Sequence, residues 1–336
     1  MYEATFQGST GEDQSVDMTV TAHARIPAFD HCALLYHSDD EYIDWLVRFI
    51  SDGLDLAEPV LVAVPGNRLA LLRRALGNAA ADITMADITG FGRNPGRIIA
   101  AHLAFVERHP DDHVRIVAEP VWAGRTAFET SACMQHEALA NIALDGLDVT
   151  GLCPYDASCL DQSVLADVLL THPQIWQGGS RKHSPEYALD AALDRCNRPL
   201  ATNPAAVTYT VSEPADLAGA RKCVDRYGRL LGMSADRVAD LMLIATELAT
   251  NSLNHAGGAC RLAFWYEAGH VVCEARDMGH WTDPLAGRRP PASPGAGPYG
   301  LFVVNAIADL LRTHTTPGGT TIHAYLGLDH SDEHVT

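Results

Sequence analysis

Apolar residues recur at helical spacing most clearly over residues 235–258, ADRVADLMLIATELATNSLNHAGG. Val238, Leu241, Met242, Ala245, Leu248 and Ala249 form one stripe, with Ser234 placed as N-cap and Gly257-Gly258 as the stop. Off that stripe lie Glu247, Asn251 and His255, each four residues from the next and so stacked along one side of the helix. A carboxylate one turn from a carboxamide suits nucleotide chemistry. The acid can orient or deprotonate a nucleophile, and the amide oxygen can ligate Mg²⁺ beside phosphates. Taken singly, each residue also fits a helix face that meets water.

Upstream, short apolar runs alternate with amphipathic segments. Residues 32–36 (CALLY), 60–64 (VLVAV), 83–87 (ITMAD), 114–119 (VRIVAE) and 149–155 (VTGLCPY) read as strands. Helices are expected over 39–56, 68–76, about 94–107, about 127–144 and 163–170. This predicts an α/β domain over 28–176, a doubly wound and mostly parallel sheet covered on both faces. Ligands of such sheets gather at the carboxyl ends of the strands, which carry Asp39, Asp87, Glu119, Trp122, Tyr155 and Asp156. His31, Tyr36, Asp39, Glu119, Trp122, Cys153 and Tyr155 are the candidates for a sensory pocket, although Asp and Ser at strand ends equally serve as caps and turns. No GxxxxGK[ST] follows any strand, so a phosphate-cradling P-loop is absent.

Glycine, proline and charge dominate residues 177–206, which read as a linker with one short helix around Tyr187 to Arg195. Beyond it, 207–327 reads as a second domain: a strand at 207–211, a helix at 217–231, the helix described above, and a hairpin joined at Glu267-Ala268-Gly269. A proline- and glycine-rich loop follows, then a helix over 300–311 and a final hairpin turning at Pro317-Gly318-Gly319. Helices followed by antiparallel strands predict an α+β sandwich. Residues 1–27 read as a flexible tail and 328–336 as an acidic one.

Composition adds exclusions. The 336 residues suggest two domains, and 47% hydrophobic residues are ample for packed cores. A formal charge of −18 disfavours nucleic acid as a direct ligand and suits a basic protein partner. No apolar run is long enough for a membrane span and the first residues do not read as a signal peptide, so a cytoplasmic protein is expected. The eight cysteines include no CxxC pair, which removes support for zinc-ribbon and thioredoxin-like readings. His31-Cys32 and Cys153 with Cys159 remain candidates for lining a redox or metal-sensing pocket.

In the second domain Asp277 ends a strand, where it could accept the exocyclic amine of adenine, and Gly279 would let backbone approach the ring. Gly295, Gly297 and Gly300 lie in a loop leading to a helix N-terminus, where free N–H groups at Gly300-Leu301 favour phosphate oxygens. Thr320 and Thr321 open the last strand and could add a hydroxyl. A turn aspartate and an ordinary surface loop are the plain alternatives.

The order ELATNSLNHA, then D-x-G after a strand, then a glycine loop into GLFVV, then GGTT before a strand, resembles the GHKL ATPase superfamily of histidine kinases and gyrase. It is most similar to the anti-sigma-factor serine-kinase branch, whose ELxxNxxxHA is matched by Glu247, Leu248, Asn251, His255 and Ala256 over a likeness spanning about 207–326. The resemblance implies a Bergerat-type α/β sandwich with ATP and Mg²⁺ as cofactors. Glu247 would be the general base, Asn251 the Mg²⁺ ligand, Asp277 the adenine contact, and Gly297 with Gly300 the phosphate loop. Implied partners are a sigma factor and/or a STAS-domain anti-sigma antagonist, with a homodimer as the implied assembly. Two positions depart from the family pattern: His280 replaces the second glycine of D-x-G-x-G, and Pro298 stands inside the second glycine box.

Residues 28–173 resemble the MEDS sensory domain through HCALLYHSDDEYIDWLVRFISDGLDLAEPVLVAVP, AEPVW, and LCPYD followed by VLADVLLTHP. That likeness implies a KaiC/RecA-like fold without the P-loop and an unidentified small ligand. The expected function is an anti-sigma-type sensor-regulator that binds ATP·Mg²⁺ and sequesters a sigma factor and/or phosphorylates a Ser/Thr of an antagonist. The alternative is a partner-switching scaffold with a degenerate ATPase fold. A sensor histidine kinase is the third reading, disfavoured because no helix with a phosphoaccepting histidine precedes the ATPase-like segment.

Overall fold

A computed structural model describes residues 28–290 and 299–329. The tail expected at 1–27, most of that at 328–336, and Gly295, Gly297 and Pro298 lie outside the described residues.

The first domain runs β1 (Phe29–Tyr36), α1 (Asp39–Asp55), β2 (Val60–Val64), α2 (Gly66–Leu76), β3 (Thr84–Asp87), α3 (Ile88–Phe91), α4 (Ile98–Val106), β4 (Val114–Ala118), α5 (Ala127–Ala143), β5 (Val149–Asp156), α6 (Gln162–Thr171), β6 (Gln174–Gln177), β7 (Ser180–His183) and α7 (Leu189–Cys196). Its sheet has the order β3-β2-β4-β5-β1-β6-β7, parallel throughout except for the last pair. Side chains alternate across β1. Cys32, Leu34 and Tyr36 pack with Tyr42, Leu46 and Leu72 of α1 and α2, whereas Ala33 and Leu35 pack with Cys133, Met134 and Val168 of α5 and α6. Both faces are thus covered, which is why the strands read as unbroken apolar runs.

The second domain runs β8 (Val207–Val211), α8 (Leu217–Leu230), α9 (Ala235–His255), β9 (Cys260–Glu267), β10 (His270–Asp277), α10 (Gly300–Ile307), β11 (Leu310–Thr316) and β12 (Gly319–Gly327). Its strands form a separate antiparallel sheet in the order β11-β12-β10-β9-β8. One face carries the helices through a core that includes Val224, Leu241, Leu248, Phe264, Cys273, Val304 and Ala324. No helix among the described residues is long and apolar enough to cross a membrane.

The stretch expected as a linker is folded instead. Residues 174–183 form the β6–β7 hairpin on the edge of the first sheet, and α7 buries Ala192. The residues after α7 then close the helix-free face of the second sheet. Thr202 Oγ1 donates to the buried Glu274 at 2.7 Å, and Asn197 exchanges hydrogen bonds with the backbone of Thr315 at 2.8 and 2.9 Å. Polar residues there satisfy buried groups of the sheet rather than water, and this cannot be told from composition.

The expected helix over 300–311 stops at Ile307. Ala308 is extended and Leu310 already pairs with Tyr325, so the chain leaves the helix to enter the sheet. The carbonyls freed at this end are taken by the first domain. Asn94 Nδ2 donates to the carbonyls of Asn305 (2.9 Å) and Ala308 (3.2 Å), and Arg97 donates to the same two at 2.9 Å each. Apolar contact extends the interface: Leu285 joins Ile99, Leu139 and Ala143 in one buried cluster.

Asn94 still serves both carbonyls in Arg97→Ala, which therefore costs little, whereas Asn94→Ala also strands the buried Gly96 N–H that its Oδ1 accepts from. Removing both leaves buried acceptors unpaired, and the double variant is expected to lose about 1–3 kcal/mol in equilibrium urea unfolding. A double variant no weaker than the sum of the two singles would show that these bonds do not hold the domains together.

Candidate functional site

Ser234 caps α9 by accepting from the Arg237 N–H at 3.3 Å. Val238, Leu241, Ile244, Ala245, Leu248, Ala249 and Ser252 are buried against the sheet, with Met242 only partly so. That orientation turns Glu247 and Asn251 toward the first residue of α10. A Cβ built on Gly300 would lie 2.7 Å from Glu247 Oε2 and 3.0 Å from Asn251 Nδ2, so a larger residue there would push these two side chains aside. The first N–H groups of a helix have no partner within it, and these together with the helix dipole favour an anion beside the two side chains. Asn251 Nδ2 is buried and has no hydrogen-bond partner among the described residues, which leaves part of the carboxamide free for a ligand.

Next to this contact lies a cavity of about 430 Å³ lined by Leu248, Asn251, Ser252, His255, Asp277, Gly279, His280, Trp281, Leu301 and Ile322, among others. Its volume falls within the range of small-molecule sites, roughly 300–1,000 Å³. Asp277 closes one side at the end of β10. Its Oδ1 accepts from Gly279 N at 2.9 Å and its Oδ2 from the Ser252 hydroxyl, which fixes the carboxylate and leaves lone pairs toward the cavity. A Cβ on Gly279 would stand 2.8 Å from that of Ala256, so glycine is required where the turn meets the end of α9. His280 is exposed at the rim, 3.4 Å from Thr315 Oγ1, and leaves the cavity open. His255 is exposed and lines the cavity.

The two threonines do not join the lining. Thr320 is buried behind the Asp277 turn, where its hydroxyl donates to Gly279 O at 2.7 Å. Thr321 points to the other face of the sheet, as strand alternation requires, and accepts from Arg276 Nε at 3.1 Å. Gly297 lies outside the described residues. The residues present fit a nucleotide: a fixed carboxylate for a base edge, an orphaned amide, and a helix start over a carboxylate. Asn251 through Oδ1 and Glu247 are the side chains that could hold Mg²⁺ or a nucleophile beside phosphates.

The seven candidates of the first domain fall into two places. Tyr36, Glu119 and Trp122 line a cavity of about 420 Å³ at the carboxyl ends of the strands, together with Arg68, Asp87, Thr89 and Asp156. Asp39 pairs with Arg68 at its edge. Arg68 lies 4.7 Å from the Tyr42 ring, and the Tyr42 hydroxyl donates to Glu119 at 2.9 Å. His31, Cys153 and Tyr155 sit instead on the α5 face of the sheet, around the buried Glu137. His31 is five residues before the end of β1, too far down the strand to reach the cavity at Tyr36.

Ser252, Arg68, Glu137 and His172 were not singled out by sequence reasoning. A signal existed for three of them: Ser252 stands in the apolar stripe of its helix, and Glu137 and His172 interrupt otherwise apolar runs. Arg68 carries no such mark.

Burial pushes the Glu119 carboxyl up to about 8. An unfolded glutamate titrates near pH 4.3, so the folded chain holds a proton that the unfolded chain has lost. This contribution is fully present below the unfolded pKa and is lost as pH rises through the folded one. Stability is therefore expected to fall between about pH 4.5 and about pH 8, by at most roughly 1.4 kcal/mol per unit. Glu119→Gln, which keeps an acceptor for Tyr42, should remove this part of the slope in urea melts across that range. An unchanged slope would mean that Glu119 is not the group.

Comparison with known families places two matches along the chain. Residues 30–173 match the family described as MEDS: MEthanogen/methylotroph, DcmR Sensory domain. Residues 210–326 match the histidine kinase-like ATPase domain. Comparison with curated proteins gives no match. The first match spans the parallel-dominated sheet with its strand-end cavity, and the second spans the antiparallel sheet with the Glu247–Asn251–Asp277 cavity. The chain therefore carries a MEDS sensory domain followed by a histidine kinase-like ATPase domain.

Proposed function

We propose that this protein is a cytoplasmic sensor-regulator of the anti-sigma-factor type, whose second domain binds ATP·Mg²⁺. The reading is carried by one observation: Gly300 sits directly over Glu247 and Asn251, at the edge of a cavity closed by Asp277. Adenine would lie toward Asp277, with its phosphates toward the start of α10. Asn251 would ligate Mg²⁺, and Glu247 would accept the proton of a serine or threonine hydroxyl on a STAS-type antagonist. Phosphoryl transfer of this kind asks the protein mainly for a base, a metal and positioned phosphates. The same domain would hold a sigma factor when the antagonist is absent.

The first domain would take a small molecule in the strand-end cavity, where Arg68 offers a charge and Trp122 an apolar face. Its occupancy can reach the second domain through a short path. Asp87 and Thr89 line the cavity, α3 follows, and Asn94 and Arg97 then hold the end of α10. Arg125, stacked on Trp122 at 3.5 Å, ties the same segment down through the carbonyls of Gly92 and Arg93.

Calorimetry of the full chain with ATP and Mg²⁺ is expected to show one site, weakened at least tenfold in Asn251→Ala and lost in Gly300→Val. Glu247→Ala should still bind nucleotide but no longer phosphorylate a STAS antagonist. Absence of any heat with ATP·Mg²⁺ would leave a partner-switching scaffold in place of the kinase.

A further inference from the structure

Four buried side chains from four separate segments converge on one point of the first domain, away from both cavities described above. They are His31 on β1, Glu137 on α5, Cys153 on β5 and His172 just after α6, and their ligand atoms all lie within 4.8 Å of one another. His31 Nε2 is 3.2 Å from Glu137 Oε2, and His172 Nε2 is 3.5 Å from the same oxygen. Cys153 Sγ is 3.5 Å from His31 Nε2 and 3.6 Å from Glu137 Oε2. Tetrahedral bonds of about 2.0–2.3 Å to N, O and S put neighbouring ligand atoms roughly 3.3–3.7 Å apart. The four separations are close to the edges of such a tetrahedron.

The outer hydrogen bonds decide how the imidazoles face. Asn141 Nδ2 donates to the carbonyls of Glu137 and Thr171 at 2.9 Å each, so its Oδ1 is the atom left to accept from His31 Nδ1 at 3.1 Å. His172 Nδ1 lies 3.0 Å from the carbonyl of Val168, which can only accept. Both rings therefore carry a proton on Nδ1 and, when neutral, turn a lone pair at Nε2 inward. Around the fully buried His172 Nε2 the polar contact among the described residues is the long one to Glu137 Oε2 at 3.5 Å, which is a poor hydrogen bond. Two such lone pairs facing the Glu137 carboxylate repel it unless a proton or a metal cation lies between them, and the Cys153 thiol is close enough to donate to His31 Nε2. The Tyr155 hydroxyl meanwhile donates to the other Glu137 oxygen at 2.8 Å, orienting the carboxylate in the way that outer-shell partners orient metal ligands.

We propose that this cluster binds one divalent transition-metal cation of the zinc class through His31 Nε2, His172 Nε2, Glu137 Oε2 and Cys153 Sγ. Binding displaces the Cys153 thiol proton to solvent and forms a metal–thiolate bond. The dication with one carboxylate, one thiolate and two neutral imidazoles then sums to zero charge, as a fully buried site requires. The thiolate and imidazole donors exclude Mg²⁺ and Ca²⁺, which take oxygen ligands. The site is independent of the nucleotide reading and stands whether or not the second domain binds ATP.

The test uses the full chain, unfolded in chelator and refolded with Zn²⁺ or Co²⁺. The expected result is one equivalent of metal by elemental analysis, and for Co²⁺ the visible bands of a tetrahedral ion with thiolate-to-metal charge transfer. Cys153→Ser should abolish the charge-transfer band, and His172→Gln should weaken metal binding by about 10-fold or more. A folded chain that takes up neither metal, or a Cys153→Ser variant with the same cobalt spectrum, overturns the proposal. If the variants fail to fold, the spectrum of the unaltered chain decides alone.

Discussion

A short helix has two ends that need partners, and α10 finds them in different domains. Its first residue rests on Glu247 and Asn251, while its last free carbonyls are held by Asn94 and Arg97. Eight residues at about 1.5 Å each give a rod of roughly 12 Å. A rod that short does not bend appreciably, so a shift at its carboxyl end is felt at Gly300. Where the glycine end sits against the acid and the amide is therefore tied to the segment between α3 and α4. The sensory domain thus holds the far end of the helix that borders the second domain's cavity, without any of its residues lining that cavity.

The helix α5 shows the same constraint from the other side. It lies between its own sheet and the second domain, and nine of its residues are buried, more than a single stripe can account for. Cys133 and Met134 pack on the sheet, and Glu137 turns inward among His31, Cys153 and Tyr155. Leu139 and Ala143 meet Leu285, Gln135 accepts from Arg288 at 2.9 Å, and Phe128 stacks under Arg312 at 5.0 Å. One helix thus borders the buried cluster on one face and the ATPase-like domain on another.

What could be read from the sequence was whatever depends on local period. The stripe of α9 follows from a spacing of 3.6, and the five parallel strands and the β9–β10 hairpin from short apolar runs bounded by turn residues. Asn251 and Asp277 reach one cavity because each is fixed by an element whose face the pattern already sets. The losses have a different origin. Residues 197–206 look like solvent-facing chain because their polar atoms bond Glu274 and Thr315, which only tertiary structure brings near. Thr321 was grouped with Thr320 by adjacency, although in a strand adjacency means opposite faces. The carboxyl end of α10 was misjudged because Leu311 suits a helix stripe as well as it suits the strand that β12 draws it into. Glu137 and His172 were passed over because a polar residue inside an apolar run has no visible partner until the topology joins β1, α5 and the end of α6.

Buried polar atoms without partners cost roughly 1–3 kcal/mol each, so a chain keeps them only where something else is gained. Among the described residues they are not spread evenly. His172 Nε2 has its long contact to Glu137 inside the four-residue cluster, and His102 Nε2 and His136 Nδ1 line the small cavity beside it. Asn251 Nδ2 is orphaned beside the cavity closed by Asp277, Arg288 Nη1 at the contact between the domains, and Arg125 Nε next to Trp122 of the strand-end cavity. The cores that hold the two sheets together need no such atoms and are built mainly from aliphatic and aromatic side chains. Desolvated polar groups thus gather around the buried cluster of the first domain, the two cavities and the seam between the domains, with Asp167 Oδ1 beside Arg195 as the exception.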